Sequence, residues 1–556
     1  MTGRTGNPGA PRRADLIVKA GRVYAMNSGR DVHAALAVRD GWIVAVSDER
    51  DGLDALASDG THVVDDPELT LLPAFFDIHE HLLDSARNLA RVRLEDAHSM
   101  DELIALIRER AAHTPEGEWI QTSNGWNESN LAEKRLPTAA ELDRATTNHP
   151  VLAPRGGHVS ITNTRGLELM GVTGETPDPP GGTIGHLPDG TPNGVLEGGA
   201  AQAIKALVPL PPLAESVDNL ADACATYAAL GVGSIREALI LPEGWEVYQS
   251  AWEQERLTIR CHPLLLVDPF RTQADRLAFV DGLGARSGFG DDWLRLWGLK
   301  FVLDGGVAGA AMEQPFANDP SYSGHLNWDP DEMTEVVSHA LARNWKVATH
   351  AVGDRTVRTV LDVYERALEQ NPGTPPGTLV VEHAFLADHT QRARAIARGI
   401  AITVQHPLLY VNGSEILRSW GPDRAAAVMP IRSWLDEGAT IAAGTDTVRP
   451  FDPMLNIWGM VTRNTKDIGV QGPDQTIDQY TAIELYTSAG TRLTREADRR
   501  GTLEPHRLAD FVAYRADPVT APVDDLPSLA PVITCVGGRA AYDPEHLLGS
   551  ESSLTA

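Results

Sequence analysis

Apolar and polar positions follow two different periods in the middle of this chain. In "DEMTEVVSHALARNW", Met333, Val336, Val337, Ala340 and Leu341 recur at helical spacing. The next apolar run, "KVATH", is short, reads as a strand and ends in His350. "DRTVRTVLDVYERAL" returns to the helical period, with Val357, Val360, Leu361 and Tyr364 on one face. After the breaker "NPGTPPGT" come the strand "LVVEHA" with His383 and the helix "DHTQRARAIARG". The strands "AITVQHP" and "TIAAGTD" follow, the second ending in Asp446. Strand and helix alternate at roughly 30-residue spacing, which predicts repeated βα units and an α/β fold with a parallel sheet or (β/α)8 barrel. The TIM-like barrel is the better choice because polar residues stand where apolar strands end. In a barrel all those ends face one mouth.

The two ends of the chain differ from the middle. Short β-like runs separated by turn residues ("DLIVKAGRVYAMN", "AALAVRDGWIVAV", "THVVDD") fill residues 15–70, and the same texture returns in "LADFVAYRADP" and "PVITCVGGRAAYD" within 497–556. These segments predict one small β-sandwich assembled from both chain ends, flanking a barrel over 71–496. Residues 100–200 are rich in Gly, Pro and Asn and read as an insertion after the first barrel strand, folding over the mouth. The first 14 residues read as a disordered tail, since no apolar run follows Arg12 and Arg13 as a signal peptide requires.

Composition narrows the function. At 556 residues the chain exceeds one compact core, and 42% hydrophobic with 22% charged residues is globular usage. The formal charge of −28 is scattered, which promotes solubility and disfavours nucleic acid and anionic membrane surfaces as partners. Three isolated cysteines form no CxxC, so a metal would be held by nitrogen and oxygen ligands. No run approaches the ~18 to 20 apolar residues of a membrane span. The expectation is a cytoplasmic enzyme acting on a small molecule.

Candidate chemistry begins at "TLLPAFFDIHEHLLDS". In an extended strand His79 and His81 point the same way, with Asp77, while Glu80 points to the other side. Two imidazoles one strand repeat apart can share a metal ion. Lys300 in "LWGLKFVLDGG", His350, His383 and Asp446 likewise end apolar stretches. A single buried histidine is usually a core residue, and a strand-end aspartate often caps the next helix. Six ionisable groups at successive strand ends are harder to explain by packing, because burying them without a partner is expensive. A bound cation removes that cost.

The order of these residues between β-rich termini resembles the amidohydrolase superfamily of metal-dependent hydrolases. Within it the chain is similar to the branch that includes N-substituted formamide deformylases. The likeness rests on "GW" at Gly125–Trp126, "ELD" at 141–143, "HVSITN" from His158 to Asn163, and "GVLEGGA" around Glu197. It continues through "LKFVLDG" with Lys300 and Asp304, "THAVGDR", "VEHAFL", "GTD" and "GTLEPHRLADFV". Three positions depart from the pattern: Ala74 and His506 stand at usual glycines, and Thr445 at a common serine.

The resemblance implies one or two divalent ions, most commonly zinc. His79 and His81 with Asp446 would hold the first, and His350 and His383 would hold a second or orient water and substrate. Lys300 would be carboxylated to a carbamate bridging two metals, or be an ordinary lysine near the mouth. Such an ion lowers the pKa of bound water toward ~7. Asp446 would shuttle the proton, with Lys300 and His350 as further catalytic groups, and Trp126, His158, Glu197 and Asp304 would line the substrate. A homodimer is a family expectation.

Three functions compete on this reading: hydrolysis of an amide or formamide C–N bond, hydrolysis or deamination of a cyclic or heteroaromatic amide, and non-catalytic ligand binding on the same scaffold. No candidate ligand is missing, which disfavours the third. "THAVGD" has no glutamate in an HxxE arrangement, which disfavours heteroaromatic deamination. No G-x-S-x-G elbow or Lys-Ser/Thr phosphate loop is present.

Overall fold

In the computed structural model, Asp329 and Pro330 start the helix Pro330–Ala342. The Asp329 carboxylate accepts from the N–H groups of Asp331 and Glu332, and proline takes a first-turn position where its missing donor is not needed. The five residues read at helical spacing, Met333 to Leu341, are all buried. The helix Asp354–Gln370 buries Val357, Val360, Leu361 and Tyr364 in the same way. The structure describes residues 13–156, 159–179 and 181–549, the side chain of Ser129 excepted.

Eight strands carry the barrel-like sheet. They are β1 (Phe75–Glu80), β2 (Val232–Glu237), a broken β3 (Arg260–Cys261 and Leu264–Leu266) and β4 (Gly298–Val302). β5 (Val347–Ala351), β6 (Leu379–His383), β7 (Ala401–Val404) and β8 (Ile441–Ala443) complete the set. β1, β2 and the first part of β3 form one parallel arc, and the second part of β3 through β8 forms another. The arcs meet where Ile240 bridges Leu265, and where the Asp446 N–H donates to the His79 carbonyl at 2.8 Å. That approach needs Gly444, because a Cβ there would stand 2.5 Å from the His79 nitrogen.

The chain ends do come together, in a form that differs from the sandwich expected. The strands Leu16–Tyr24, Val32–Arg39, Trp42–Ser47, His62–Asp65 and Thr70–Pro73 join Phe511–Tyr514, Pro531–Val536 and Arg539–Tyr542 in one continuous sheet. Thr70–Pro73 makes it continuous, pairing with Leu16–Tyr24 in parallel and with Phe511–Tyr514 antiparallel. The N-terminal contribution therefore runs to Pro73, past residue 70. Val18, Leu36, Leu71, Phe511 and Ile533 pack in one apolar cluster on this sheet. His506, at a usual glycine, has φ +67°, a left-handed conformation that glycine adopts without cost.

The chain divides into two compact units, Met1–Leu83 with Ala221–Ala556, and Asp84–Leu220. The second covers the expected insertion and extends beyond both its ends. It holds a five-stranded sheet ordered Gly182–His186, Pro192–Gly198, Val159–Thr162, Val151–Arg155, Ile120–Gln121. Residues 1–12 of the expected tail lie outside the described residues. Among the described residues no helix is long and apolar enough to cross a membrane.

Candidate metal centre

The carboxyl ends of β1, β5 and β6 and the residues just after β8 bring five of the six strand-end candidates together. His79 Nε2 and His81 Nε2 lie 3.5 and 3.2 Å from Asp446 Oδ1, and one ligand atom from each of these three residues falls within 4.8 Å of the others. On the other side of the carboxylate, His383 Nε2 is 3.8 Å from Asp446 Oδ2 and 2.9 Å from His350 Nδ1. His383 and Asp446 have φ of +72° and +56°. Non-glycine residues reach this region rarely, and such conformations cluster at functional sites. Here the left-handed turn after β6 lets both Glu382 and His383 reach inside, although strand alternation would send neighbours to opposite faces.

Hydrogen bonds orient each imidazole. His79 Nδ1 lies 2.6 Å from Glu382 Oε2, and as the carboxylate is an acceptor, Nδ1 carries the proton and Nε2 presents a lone pair toward Asp446. His350 Nε2 faces the Gly305 carbonyl at 3.2 Å, so its Nδ1 is bare. His383 Nδ1 faces Gln405 Oε1 at 2.7 Å, which leaves its Nε2 bare as well. With both outer bonds made, two lone pairs face each other across 2.9 Å. Only a cation settles there. Burial pushes the pKa of His79, His350 and His383 down, so a proton is the poorer occupant.

The charges follow the same logic. Burial would raise the Asp446 carboxyl, but His79, His81 and His383 hold it far below the usual carboxylate range. Glu382 is fully buried, and Arg236, then His79 and Lys300, outweigh its burial and keep it ionised. Arg236 donates to Glu382 Oε1 at 2.7 Å and to the Ile78 carbonyl at 3.0 Å, with its guanidinium over the Trp297 ring at 4.0 Å. Lys300 is buried on β4 and its Nζ has no hydrogen-bond partner. Burial pushes that ammonium down to about 8, against the pull of Glu382. Bare imidazole nitrogens and an ionised carboxylate form a donor set suited to a divalent cation.

Several expectations need correction. Asp77 shares the strand face of His79 but does not join the centre. It accepts from the backbone N–H and the hydroxyl of Thr445 at 3.0 and 2.5 Å. Glu80, expected on the other side, contacts the same hydroxyl and accepts from the N–H groups of Thr447 and Val448. One hydroxyl has one proton for two carboxyls, so one carboxyl keeps its own, in line with burial raising both pKa values. Asp304 does not line an open site. It is fully buried and accepts from the N–H groups of Ala311, Val352 and Gly353 and from the Thr356 hydroxyl, with His350 Nε2 at 3.5 Å. It pins the "HAVGD" turn that carries His350. Trp126 is core of the second unit, its indole N–H donating to the Pro154 carbonyl at 2.8 Å. Glu197 is an exposed residue of the strand Pro192–Gly198, and His158 lies outside the described residues.

Sequence reasoning passed over Glu382, Arg236, Glu237, Thr403 and Gln405. Glu237 Oε1 stands 3.8 Å from His81 Nδ1, and its Oε2 accepts from Tyr248. The available signal was charge inside apolar runs: an arginine in "GSIREA" and a glutamate in "LVVEHA" must each have a buried partner.

The family model described as "Amidohydrolase family" matches residues 62–542. The chain belongs to the amidohydrolase family. It is a metal-dependent amidohydrolase, an enzyme class acting on carbon–nitrogen bonds, and the family implies a divalent metal. The chain is 25% identical to an N-substituted formamide deformylase of Arthrobacter pascens, covering 95% of this chain and 98% of the relative. It is 27% identical to Protein LONG AFTER FAR-RED 3 of Arabidopsis thaliana, over 95% and 92%. Among solved structures, a metal-dependent hydrolase from Pyrococcus horikoshii matches 92% of this chain and 99% of its own with a TM-score of 0.76 at 23% identity. That likeness supports the barrel fold.

Proposed function

We propose that this amidohydrolase cleaves the C–N bond of a small amide or formamide with water. The observation that carries this reading is the convergence of His79, His81 and His383 on the Asp446 carboxylate, with His350 joined to His383. His79, His81 and Asp446 would hold one zinc ion, and His350 and His383 a second ion or the substrate and water. Zinc bound there supplies Lewis acidity and makes a neighbouring water acidic enough to act near neutral pH.

The side chains perform the rest. Asp446 is held ionised, lies at the meeting point of the histidines, and takes the proton of the attacking water at a carboxylate oxygen. It then returns that proton to the leaving nitrogen. His350, fixed by Gly305 and Asp304, presents its bare Nδ1 to the centre, where it would hold an ion or accept a hydrogen bond from water or substrate. Lys300 enters as its amine or, carboxylated, as a carbamate. The carbamate would turn an unpartnered buried cation into an anionic ligand, with Arg236 nearby to balance it. The deformylase likeness favours formamides among the amide substrates.

The test is a zinc-loaded screen of formamides, acyl amines and cyclic amides with detection of the released amine. The parent protein should turn over a formamide or acyl amine, and Asp446→Asn should abolish turnover with the fold intact. Parental rates in Asp446→Asn would overturn the proton-shuttle role. Turnover of cyclic amides alone would move the substrate to the competing class.

A further inference from the structure

Glu382 touches His79 directly, and a second set of contacts links it to His383. Thr403 is the register partner of Glu382 on the neighbouring strand β7, so their side chains leave the sheet on the same side. The Thr403 hydroxyl donates to Glu382 Oε2, the same oxygen that accepts from His79 Nδ1. Its oxygen accepts from Gln405 Nε2 at 2.8 Å. Gln405 Oε1 then faces His383 Nδ1 at 2.7 Å. Thr403, Gln405 and Glu382 are all fully buried.

Each link allows one direction only. Arg236 donates to one Glu382 oxygen and His79 Nδ1 faces the other, so Glu382 stands as an acceptor and the Thr403 proton points at it. The Thr403 oxygen can then only accept, which turns the amide N–H2 of Gln405 toward it and the amide oxygen toward His383. An amide oxygen accepts, so His383 carries its proton on Nδ1 and keeps Nε2 bare. Arg236 closes the other end, filling Glu382 Oε1.

We infer that Arg236, Glu382, Thr403 and Gln405 form a one-way hydrogen-bond relay in which Glu382 sets the tautomer of His79 directly and that of His383 through Thr403 and Gln405. These four are positioning residues: each acts through the histidines. This rests on the metal-holding role proposed above for the histidines, but the tautomers themselves are a property of the metal-free protein.

The decisive variant is Thr403→Val, which keeps the shape of the side chain and removes the hydroxyl. Without it the Gln405 amide is free to turn over, present its N–H2 to His383 and move the His383 proton to Nε2. Nitrogen-15 spectra of the histidine-labelled, metal-free protein should show the His383 Nε2 signal change from bare to protonated, with His79 unchanged. Zinc affinity, read by competition with a chromophoric chelator, should fall by about 10- to 100-fold. Adding Gln405→Glu to Thr403→Val restores a group that can only accept, and should return both readouts toward the parent. Unchanged His383 signals in Thr403→Val, or no recovery in the double variant, would overturn the relay. A parent protein that takes up no zinc would overturn the metal-centre reading instead, and the metal-free spectra would still decide the relay.

Discussion

Replacing Lys300 with methionine tests the electrostatics of the barrel interior. The ammonium is 2% exposed and its Nζ has no hydrogen-bond partner, so the substitution removes a desolvated charge without orphaning a neighbour. Burial, opposed by Glu382 and Asp446 and aided by Arg236, lowers its pKa from 10.5 to about 8. That drop corresponds to about 3 kcal/mol spent on holding the cation in the metal-free fold at pH 7. Methionine matches the length of the stem and carries no polar head, so metal-free Lys300→Met should be more stable than the parent by about 3 kcal/mol. The pH dependence gives a second handle. Between pH 8 and 10.5 the folded parent has released a proton that the unfolded chain keeps, so its stability rises with pH through that window. The variant should lack this increment. Urea unfolding in chelator and degassed buffer, followed by tryptophan fluorescence at pH 7, 8.5 and 10, reads both effects. A variant no more stable than the parent at pH 7, with the same gain toward pH 10, would refute the reasoning and mean that Lys300 is satisfied in the fold.

Removing the Asp304 carboxylate by Asp304→Ala leaves three backbone N–H groups without an acceptor and the buried Thr356 hydroxyl with only its long contact to the Ala311 carbonyl at 3.4 Å. It should cost at least about 3 kcal/mol by thermal unfolding and lower kcat by displacing His350; unchanged stability would contradict the pinning role. Asp452 caps the helix Pro453–Thr462 through the Met454 N–H, and burial raises its pKa to about 6. Its contribution is present below about pH 4 and is lost as pH rises through 6, so Asp452→Asn, which keeps the cap, should stabilise by about 3 kcal/mol at pH 7.5 and lose that advantage at pH 4. Equal stability of the two proteins at pH 7.5 would count against it.

The parts of the fold legible in the sequence are those written by periodicity. The helical spacing from Met333 to Leu341 and the short runs ending in His350, His383 and Asp446 each became the element they predict, because apolar period and strand length leave little choice. The centre was legible because five polar groups end apolar strands, and parallel barrel strands must deliver them to one face. The supporting groups were hidden for geometric reasons. Glu382 reaches inside beside His383 only because the backbone turns left-handed at His383, and no alternation rule contains that turn. Thr403 and Gln405 are ordinary polar residues until strand register sets Thr403 against Glu382. Asp304 and Trp126 show the converse limit: a polar or aromatic residue in a loop looks the same in sequence whether it faces a ligand or closes a buried turn.

Anomalous diffraction at the zinc edge from crystals of the zinc-loaded protein tests the central claim most directly. A peak within bonding distance of His79 Nε2, His81 Nε2 and an Asp446 oxygen, absent in His79→Asn/His81→Asn, is the expected result. A zinc-loaded crystal with no peak among these side chains, or with its peak bound elsewhere on the chain, would contradict it.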